Sequence, residues 1–242
     1  MVSDGLEELY TLTSDIMRKY NYIQIALWAF IISGFVFPLF WLVAIGIAVY
    51  RYKFKQENTI KLDYSIDEEY RSIINKRLKP FITIAQDQKV WRILQTSKVV
   101  NKKYTSGASN LVKRKKCQTS TKAAFPFETS EPVASFKMGR ETLLFLPDKV
   151  FIFQGGKVGI LNYEDININI TSSRFVETEH VPSDATIVGK TWEYVNKSGE
   201  PDSRFKNNKQ LPVCLYGEMT MTSTNGLNIV IMFSNITFIT EP

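Results

Sequence analysis

The longest feature of the hydropathy pattern is a run without any charged side chain. It covers the 29 positions from Tyr22 to Tyr50 and ends where Arg51, Lys53 and Lys55 begin. Hydrocarbon offers the peptide backbone no hydrogen-bond partner, so an apolar run of about 18 residues or more predicts a helix that crosses a membrane. The pattern therefore predicts a membrane segment over residues 22–50.

The length of this run fits neither one span nor two. A straight helix of this length would extend about 43 Å against about 30 Å of hydrocarbon, whereas two full spans would need about 40 residues. Ser33, Gly34 and Pro38 lie near the middle, where a turn would fall, and proline suits the first position of a second helix. Basic residues flank both ends, as expected when both ends face the cytoplasm. We predict a short transmembrane hairpin that turns at these three residues, with a single kinked span as the alternative.

Helical periodicity appears on both sides of the run. Residues 1–21 predict an amphipathic helix that lies on the membrane, pairs with another subunit or extends the first membrane helix. In residues 51–87 a basic flank precedes a capping box at Ser65–Glu68, which opens a second amphipathic helix that should stop or kink near Pro80. The apolar positions of the first helix are Leu6, Leu9, Tyr10, Thr13, Ile16, Met17 and Tyr20.

From residue 88 onward the apolar period shortens to two, which is typical of β-strands. Gly155-Gly156 joins two alternating segments, 149–154 and 157–161, and predicts a tight hairpin. Other expected strands are 90–95, 133–138, 142–146, 165–171, 174–178, 186–196, 212–222 and 227–239. The predicted fold class is therefore an α+β membrane protein. It has an N-terminal helix, a transmembrane helical hairpin, one further helix and a mainly antiparallel β barrel or sandwich in a cytoplasmic domain, residues 88–242.

Charge is distributed unevenly along the chain. The protein has 30 Lys and Arg against 24 Asp and Glu, and its segment 88–127 holds ten basic residues and no acidic one. Such a segment is a solvated loop, a docking site for the anionic inner leaflet, or a site for nucleic acid or a nucleotide. The last is not favoured, because few aromatic residues interleave. The candidate contacts to an anionic ligand or lipid are Lys102, Lys103, Lys113, Arg114, Lys115 and Lys116.

A second polar concentration occupies residues 196–210, between two strand-like segments. Long loops of this kind are uncommon unless they are functional or disordered. The candidate site residues in it are Arg204, Lys206, Asn208 and Lys209. The alternative, which we favour, is an exposed connection in which Arg204 pairs with Asp202.

Residues for familiar catalytic chemistry are scarce. The chain has one histidine, His180, and lacks a phosphate-binding loop and a nucleophile elbow, so we predict no catalytic residue, metal or cofactor. A membrane-tethered enzyme would instead require a concave cluster of carboxylates or basic groups, for instance Glu177, Glu179, His180 and Arg204. Cys117 and Cys214 lack a metal-like spacing and predict free thiols in a reducing compartment.

Two resemblances add to this interpretation. The stretches Phe145–Phe153, Thr191–Lys197 and Leu211–Glu218 resemble a C-terminal domain of uncharacterised bacterial proteins, over roughly residues 85–235. That likeness implies a bacterial source and supplies no activity. Two membrane helices before a β-rich domain are also similar to the membrane-anchored β-barrel effectors of cyclic-nucleotide anti-phage systems, which oligomerise on ligand binding and disrupt the inner membrane. No ligand-binding residue can be carried over from them.

The expected function is that of a non-enzymatic module anchored in the bacterial inner membrane. Its cytoplasmic β domain would bind an anionic ligand, a lipid surface or a protein partner, and one version is a ligand-gated membrane effector. Membrane lipids are the expected partners, together with self-association through the membrane segment. The alternative is a membrane-tethered enzyme that acts on lipid or nucleic acid.

Overall fold

The computed structural model describes residues 2–64, 68–98, 110–224 and 226–240 of the chain. The helices are α1 (Val2–Ser33), α2 (Phe40–Glu57), α3 (Glu68–Gln86) and the short α4 (Thr237–Thr240). The strands are β1 (Ile60–Leu62), β2 (Val90–Lys98), β3 (Asn110–Lys116), β4 (Gln118–Ser120), β5 (Phe127–Thr129), β6 (Ala134–Met138), β7 (Glu141–Phe145), β8 (Lys149–Gln154), β9 (Lys157–Asn162), β10 (Ile166–Val176), β11 (Thr186–Trp192), β12 (Gln210–Ser223) and β13 (Asn228–Phe233).

The chain forms two compact units, each built from separate stretches of sequence. Unit 1 comprises Met1–Ile82 and Ser120–Asn162, and unit 2 comprises Thr83–Thr119 and Tyr163–Pro242. The boundaries fall within α3, near the end of β4 and after β9. Each unit therefore depends on residues that are distant in sequence.

Unit 1 is built on the strands β6-β7-β8-β9, in that order, of a five-stranded sheet, with α1 packed on β9. The strands β6 to β9 pair as consecutive antiparallel neighbours. Gly155 and Gly156 join β8 to β9 with positive φ angles of 56° and 86°, the geometry expected of the predicted tight turn. The core of the sheet includes Leu144 and Phe151, and Leu9 and Met17 of α1 pack against it. The first half of α1 is thus held by hydrophobic packing. Its second half leads to the turn that joins α1 to α2, and these two helices are called the α1–α2 hairpin below.

The structure adds a parallel strand pair to unit 1 that the sequence does not predict. Strand β1 pairs with β5 so that Ile60 lies opposite Phe127. Each strand has three residues, too few to show a period of two. The Ile60 N–H also donates to the Pro126 carbonyl at 2.7 Å. This pairing fixes the chain shortly after the end of α2.

Unit 2 is built on a six-stranded sheet in the order β10-β12-β13-β2-β3, with β11 also paired to β12. The 14-residue β12 is its longest strand and pairs antiparallel along the whole of β10. The two predicted segments 165–171 and 174–178 thus belong to one strand. Trp91, Cys214, Tyr216 and Met232 form a buried cluster.

The prediction of a transmembrane segment over residues 22–50 is wrong, both as a transmembrane hairpin and as a single kinked span. Among the described residues, no helix is long and apolar enough to cross a membrane. Ser33 ends α1, whose first half carries charges, so only its last dozen or so residues are apolar. The apolar part of α2 ends at Arg51, after about 11 residues. Both lengths fall short of the about 20 residues that a span needs.

The fold is α+β, and its described strands form three sheets. Two further expectations need correction. Helix α3 was predicted to stop or kink near Pro80, but it continues through that residue to Gln86. Phe81 stacks on Phe145 with ring centroids 4.3 Å apart, so packing retains the turn that Pro80 weakens. Strand β13 ends at Phe233, and a short helix occupies part of the predicted strand 227–239.

Candidate functional site

The turn between α1 and α2 lies at Ser33, Gly34 and Pro38, the residues that the sequence indicated. The N–H groups of Val36 and Phe37 both donate to the Ser33 carbonyl at 3.0 Å, and Gly34 donates to Phe30 at 2.9 Å. Pro38 precedes α2, which begins at Phe40, two residues later than predicted. The turn thus provides its own backbone acceptors.

Glycine is required at position 34 because the Trp41 ring lies against it. A Cβ added there would be 2.8 Å from the Trp41 Nε1 atom, which is closer than real Cβ contacts. Trp41 also contacts the Phe35 ring edge-on at 5.4 Å, and Phe30 contacts Phe40 in the same way at 5.6 Å. The two helices are joined by aromatic contacts directly below the turn.

The tip of this hairpin is the most exposed apolar surface in the described part of the chain. Phe35 is 78% exposed, Leu39 76% and Phe37 61%. Apolar patches of such extent mark interaction surfaces in folded proteins. The other exposed large apolar residues of the two helices from Tyr22 to Tyr52 are Tyr22, Ile25, Trp28, Ile32, Val36, Trp41, Leu42, Val43, Ile45, Val49, Tyr50 and Tyr52.

The base of the hairpin combines aromatic rings with cations. The Tyr20 and Phe125 rings lie 4.8 Å apart between centroids. The Arg51 guanidinium lies 5.7 Å from the centroid of Tyr20, and the Lys55 ammonium lies 5.8 Å from that of Phe125. Charged and apolar surfaces are thus separated along the hairpin, with the cations at its base and the apolar tip at the other end.

The predicted basic contacts that the structure describes differ in exposure. Lys102 and Lys103 lie outside the described residues. Lys113, Lys115 and Lys116 are exposed on β3, which pairs with β2. Arg114 differs, because its side chain is only 8% exposed and lies within unit 2.

Arg114 forms a buried ion pair that the sequence did not predict. Its Nη2 atom lies 2.6 Å from the Glu177 Oε1 atom, and Glu177 Oε2 accepts a hydrogen bond from the Tyr216 hydroxyl at 2.8 Å. The guanidinium lies between two aromatic rings, 4.4 Å from the centroid of Trp91 and 4.6 Å from that of Phe175. The Arg114 guanidinium therefore binds partners inside unit 2 and is not presented to an external anion. Strand alternation at Val112–Lys116 was the available clue to its orientation.

The surroundings of Glu177 control two pKa values in opposite directions. Burial alone would raise the pKa of the Glu177 carboxyl, but hydrogen bonds from Arg114, the Glu179 N–H and Tyr216 outweigh it and hold the pKa below its usual range. Burial, together with the adjacent Glu177 carboxylate, raises the pKa of the Tyr216 phenol. The cluster is thus an ionised carboxylate held by neutral and cationic donors.

The polar loop of residues 196–210 is ordered by its own contacts. Arg204 donates two hydrogen bonds to Asp202, as the favoured alternative proposed. The Asn208 side chain donates to the Tyr194 carbonyl at 2.7 Å and accepts from the Tyr194 N–H at 3.0 Å. Phe205 stacks on Tyr194 at 4.0 Å. Arg204 and Asn208 therefore have structural partners, whereas Lys206 and Lys209 are exposed.

The structure gives two members of the example cluster, Glu177 and Arg204, different ion-pair partners. Glu177 is bound to Arg114, and the partner of Arg204 is Asp202 in another loop. Within the described ranges, no group of three or more His, Cys, Asp or Glu side chains is placed to hold a metal ion. Cys117 and Cys214 are free and buried, and burial raises the pKa of the Cys117 thiol to about 11. Neither thiol is placed as a nucleophile.

A second titratable site in unit 2 also escaped the sequence interpretation. Burial raises the pKa of Asp87 to about 7, the Asn235 N–H opposes that rise, and the nearby Asp184 carboxylate adds to it. The backbone N–H of Gln88 donates to Asp184 at 2.8 Å, and the Lys89 ammonium donates to the His180 carbonyl at 2.8 Å. Residues 88–89 thereby hold the 180–184 segment in place.

Unit 1 also contains an open groove of about 490 Å³ beside β5. Its lining mixes Lys122 with Glu128 and Glu131, so it presents no single sign of charge to a ligand. The hairpin surface is therefore the stronger candidate.

Comparisons with protein-family models, curated proteins and solved structures return no match. The two resemblances drawn from the sequence stay predictions. In the part of the chain that the structure describes, the feature with the clearest chemistry is the exposed apolar hairpin with basic and aromatic side chains at its base.

Proposed function

We propose that the protein is a membrane-attached module that inserts the tip of the α1–α2 hairpin into one leaflet of a bilayer without crossing it. The observation that carries the proposal is the exposure of Phe35, Phe37 and Leu39 at the end of a helical hairpin. Exposure of such a surface to water is unfavourable. Its transfer to hydrocarbon contributes about 1.5–3 kcal/mol to the binding free energy for each large side chain that becomes fully buried. Several such residues suffice for stable attachment.

The length of the hairpin agrees with insertion into a single leaflet. The apolar end of α1, residues 22–33, extends about 18 Å at 1.5 Å per residue. Half of the hydrocarbon thickness is about 15 Å. A hairpin of this length reaches the middle of the bilayer and returns to the same side.

The backbone of the turn supports the same proposal. Irregular backbone in hydrocarbon is unfavourable unless its polar groups have partners. The N–H groups of residues 34–37 all donate to carbonyls of Phe30, Ile32 or Ser33, and Pro38 has no N–H group to satisfy. The turn can therefore enter an apolar phase without leaving these donors unpaired.

The proposal extends to location. Basic residues at both ends of the hairpin, Arg18 and Lys19 before it and Arg51, Lys53 and Lys55 after it, favour the cytoplasmic leaflet. Free, buried Cys117 and Cys214 agree with a reducing compartment. We propose the cytoplasmic face of the bacterial inner membrane as its location, with the bacterial source implied by the resemblance.

Vesicle binding tests this function. Purified full-length protein is expected to sediment with phosphatidylcholine vesicles. The double variant Phe35→Ser, Phe37→Ser is expected to bind about 100-fold more weakly, because two large side chains lose their transfer energy. The matched control, Ile187→Ser with Val188→Ser, changes two exposed apolar residues of β11 and should bind as the unmodified protein does.

Two outcomes would contradict insertion. Equal binding by the tip variant and the control would place the lipid contact elsewhere. A chain that ignores vesicles and sediments alone as a dimer, and that the tip substitutions convert to a monomer, would show that a second copy covers the hairpin. Circular dichroism of the variants separates these results from misfolding.

A further inference from the structure

Arg51 and Lys55 form an ordered pair of cations at the base of the hairpin. They lie four residues apart on α2, so their side chains project from neighbouring positions on one helix face. Each lies over an aromatic ring, Tyr20 for Arg51 and Phe125 for Lys55, and the two rings contact each other at 4.8 Å. Cation–π contacts of this kind restrain side chains that would otherwise move freely in water.

Among the residues that the structure describes, no carboxylate pairs with these two cations. Residues 16–56 contain five basic side chains, Arg18, Lys19, Arg51, Lys53 and Lys55, and no acidic one. In the described part of the chain, Arg18 pairs with Asp15, and no carboxylate forms an ion pair with Arg51 or Lys55. The positive charge at the base of the hairpin is therefore left for an external anion.

The distance from the tip determines where this charge would lie in a bilayer. Arg51 follows the first residue of α2, Phe40, by 11 positions, which corresponds to about 17 Å along the helix. When the tip reaches the middle of the bilayer, at a depth of about 15 Å of hydrocarbon, Arg51 lies at the boundary with the head groups. Lys55, one turn further on, lies on the aqueous side of that boundary.

We infer that Arg51 and Lys55 bind the phosphate of an anionic lipid head group, so that the hairpin selects anionic leaflets. The inference rests on the insertion proposed above and specifies its lipid. A guanidinium presents two parallel N–H donors to a phosphate, and the ammonium adds a second charge. Tyr20 and Phe125 hold both groups in position for the lipid.

Asn21, the neighbour of Tyr20 within α1, contributes a supporting contact. The β8–β9 turn approaches α1 closely, since a Cβ added to Gly156 would lie 3.1 Å from the Asn21 Cβ atom. Lys157, the next residue, is exposed. A third cation is therefore carried by the turn that packs near Tyr20, and the sheet of unit 1 approaches the same head-group level.

The test compares two vesicle compositions, phosphatidylcholine alone and phosphatidylcholine mixed with phosphatidylglycerol. The unmodified protein should bind the mixed vesicles more tightly, with a preference that falls as salt rises. The double variant Arg51→Gln, Lys55→Gln is expected to bind the mixed vesicles about 30-fold more weakly, because each basic residue near an anionic surface contributes about fivefold. Its binding to phosphatidylcholine alone should be unchanged.

A matched control removes the same charges elsewhere. Arg174→Gln with Lys190→Gln takes one arginine and one lysine from exposed positions on β10 and β11. An equal loss in both double variants would show that binding follows net charge and would overturn the inference. Equal binding of the unmodified protein to both vesicles would overturn it too, while leaving insertion intact. Failure to bind either vesicle would instead contradict insertion itself.

Discussion

The carboxylate of Glu177 accepts hydrogen bonds from the Arg114 guanidinium, the Tyr216 hydroxyl and the Glu179 N–H inside unit 2. Its exposed neighbour Glu179 lies 3.4 Å from the same guanidinium. Glu177 and Glu179 therefore have the same charge and the same partner, Arg114, but Glu177 is buried and Glu179 is exposed.

Glu177→Gln is expected to lower the free energy of unfolding by about 3–5 kcal/mol, because the buried Arg114 cation then lacks its counter-charge. Tyr216→Phe should lower it by about 1.5–3 kcal/mol, the contribution of a hydrogen bond to a charged group. Glu179→Gln is the matched control and should change it by less than about 1 kcal/mol. Hydrogen exchange along β12 measures all three, and an equal effect at Glu177 and Glu179 would contradict a buried ion pair.

Asp87 should make unit 2 less stable as the pH rises. The pKa of Asp87 is raised to about 7 in the folded protein, whereas an unfolded aspartate titrates near 3.9. Between these values the folded state keeps a proton that the unfolded state has lost, so the free energy of unfolding contributed by Asp87 falls with rising pH until about pH 7. Asp87→Asn should remove this decline and raise stability at pH 7.5 by less than the about 4 kcal/mol that the full shift implies, because Asp87 is only partly buried.

Denaturation between pH 5 and 8 measures the contribution of Asp87. Asp165→Asn serves as the comparison, since that aspartate also lies in unit 2 next to β10. A pH profile that Asp87→Asn leaves unchanged would disprove the assignment.

Glu177 affects the pH dependence of stability in the opposite direction, because its pKa is lowered in the folded protein. Its contribution is present above about pH 4.3 and is lost as the pH falls towards the folded pKa.

At the scale of elements, the α1–α2 turn depends on one glycine. Gly34→Ala should displace the Trp41 ring, because the new Cβ would lie 2.8 Å from its Nε1 atom. Forced repacking of this kind typically lowers stability by about 1–3 kcal/mol. We expect a shifted tryptophan fluorescence spectrum and faster hydrogen exchange at the start of α2.

Gly46→Ala is the matched control in α2. A Cβ at Gly46 meets no atom within 4 Å, so the substitution should stabilise α2 by about 0.5–1 kcal/mol through helix propensity. The two substitutions are chemically identical and should differ in sign. If both destabilised the hairpin equally, the contact with Trp41 would not be responsible.

Elements with a strong local pattern could be predicted from the sequence, and those that depend on distant partners could not. The β8–β9 hairpin followed from Gly155-Gly156 between alternating segments. Strand β1 was missed because its three residues acquire a partner only at Phe127–Thr129. Strand β3 was missed because its inward-facing Arg114 is basic like its exposed neighbours, so the alternation does not show in hydropathy. Helix α3 passes Pro80 because Phe81 stacks on Phe145. Tertiary packing decided each of these cases.

At the scale of the whole molecule, charge and hydropathy located the candidate surface but did not predict where its helices end. The apolar run marked the hairpin, and Ser33, Gly34 and Pro38 marked its turn. The length of each helix decided against a membrane span, and that length depends on where α1 and α2 end. Arg114 lies among basic neighbours in the sequence, yet only its pairing with Glu177 reveals that it is buried.

The interleaving of the two units also implies an order of events during synthesis. Unit 1 is complete once residue 162 has been made, whereas β2 gains its partner β13 only after Phe233. At about 5–20 residues per second, the wait from Lys98 to Phe233 is on the order of ten seconds. During that time β2 has only β3 beside it, and an unpaired strand edge invites aggregation. Lys113, Lys115 and Lys116 on the neighbouring β3 give such nascent chains the same charge, and like charges oppose their association until β13 pairs with β2.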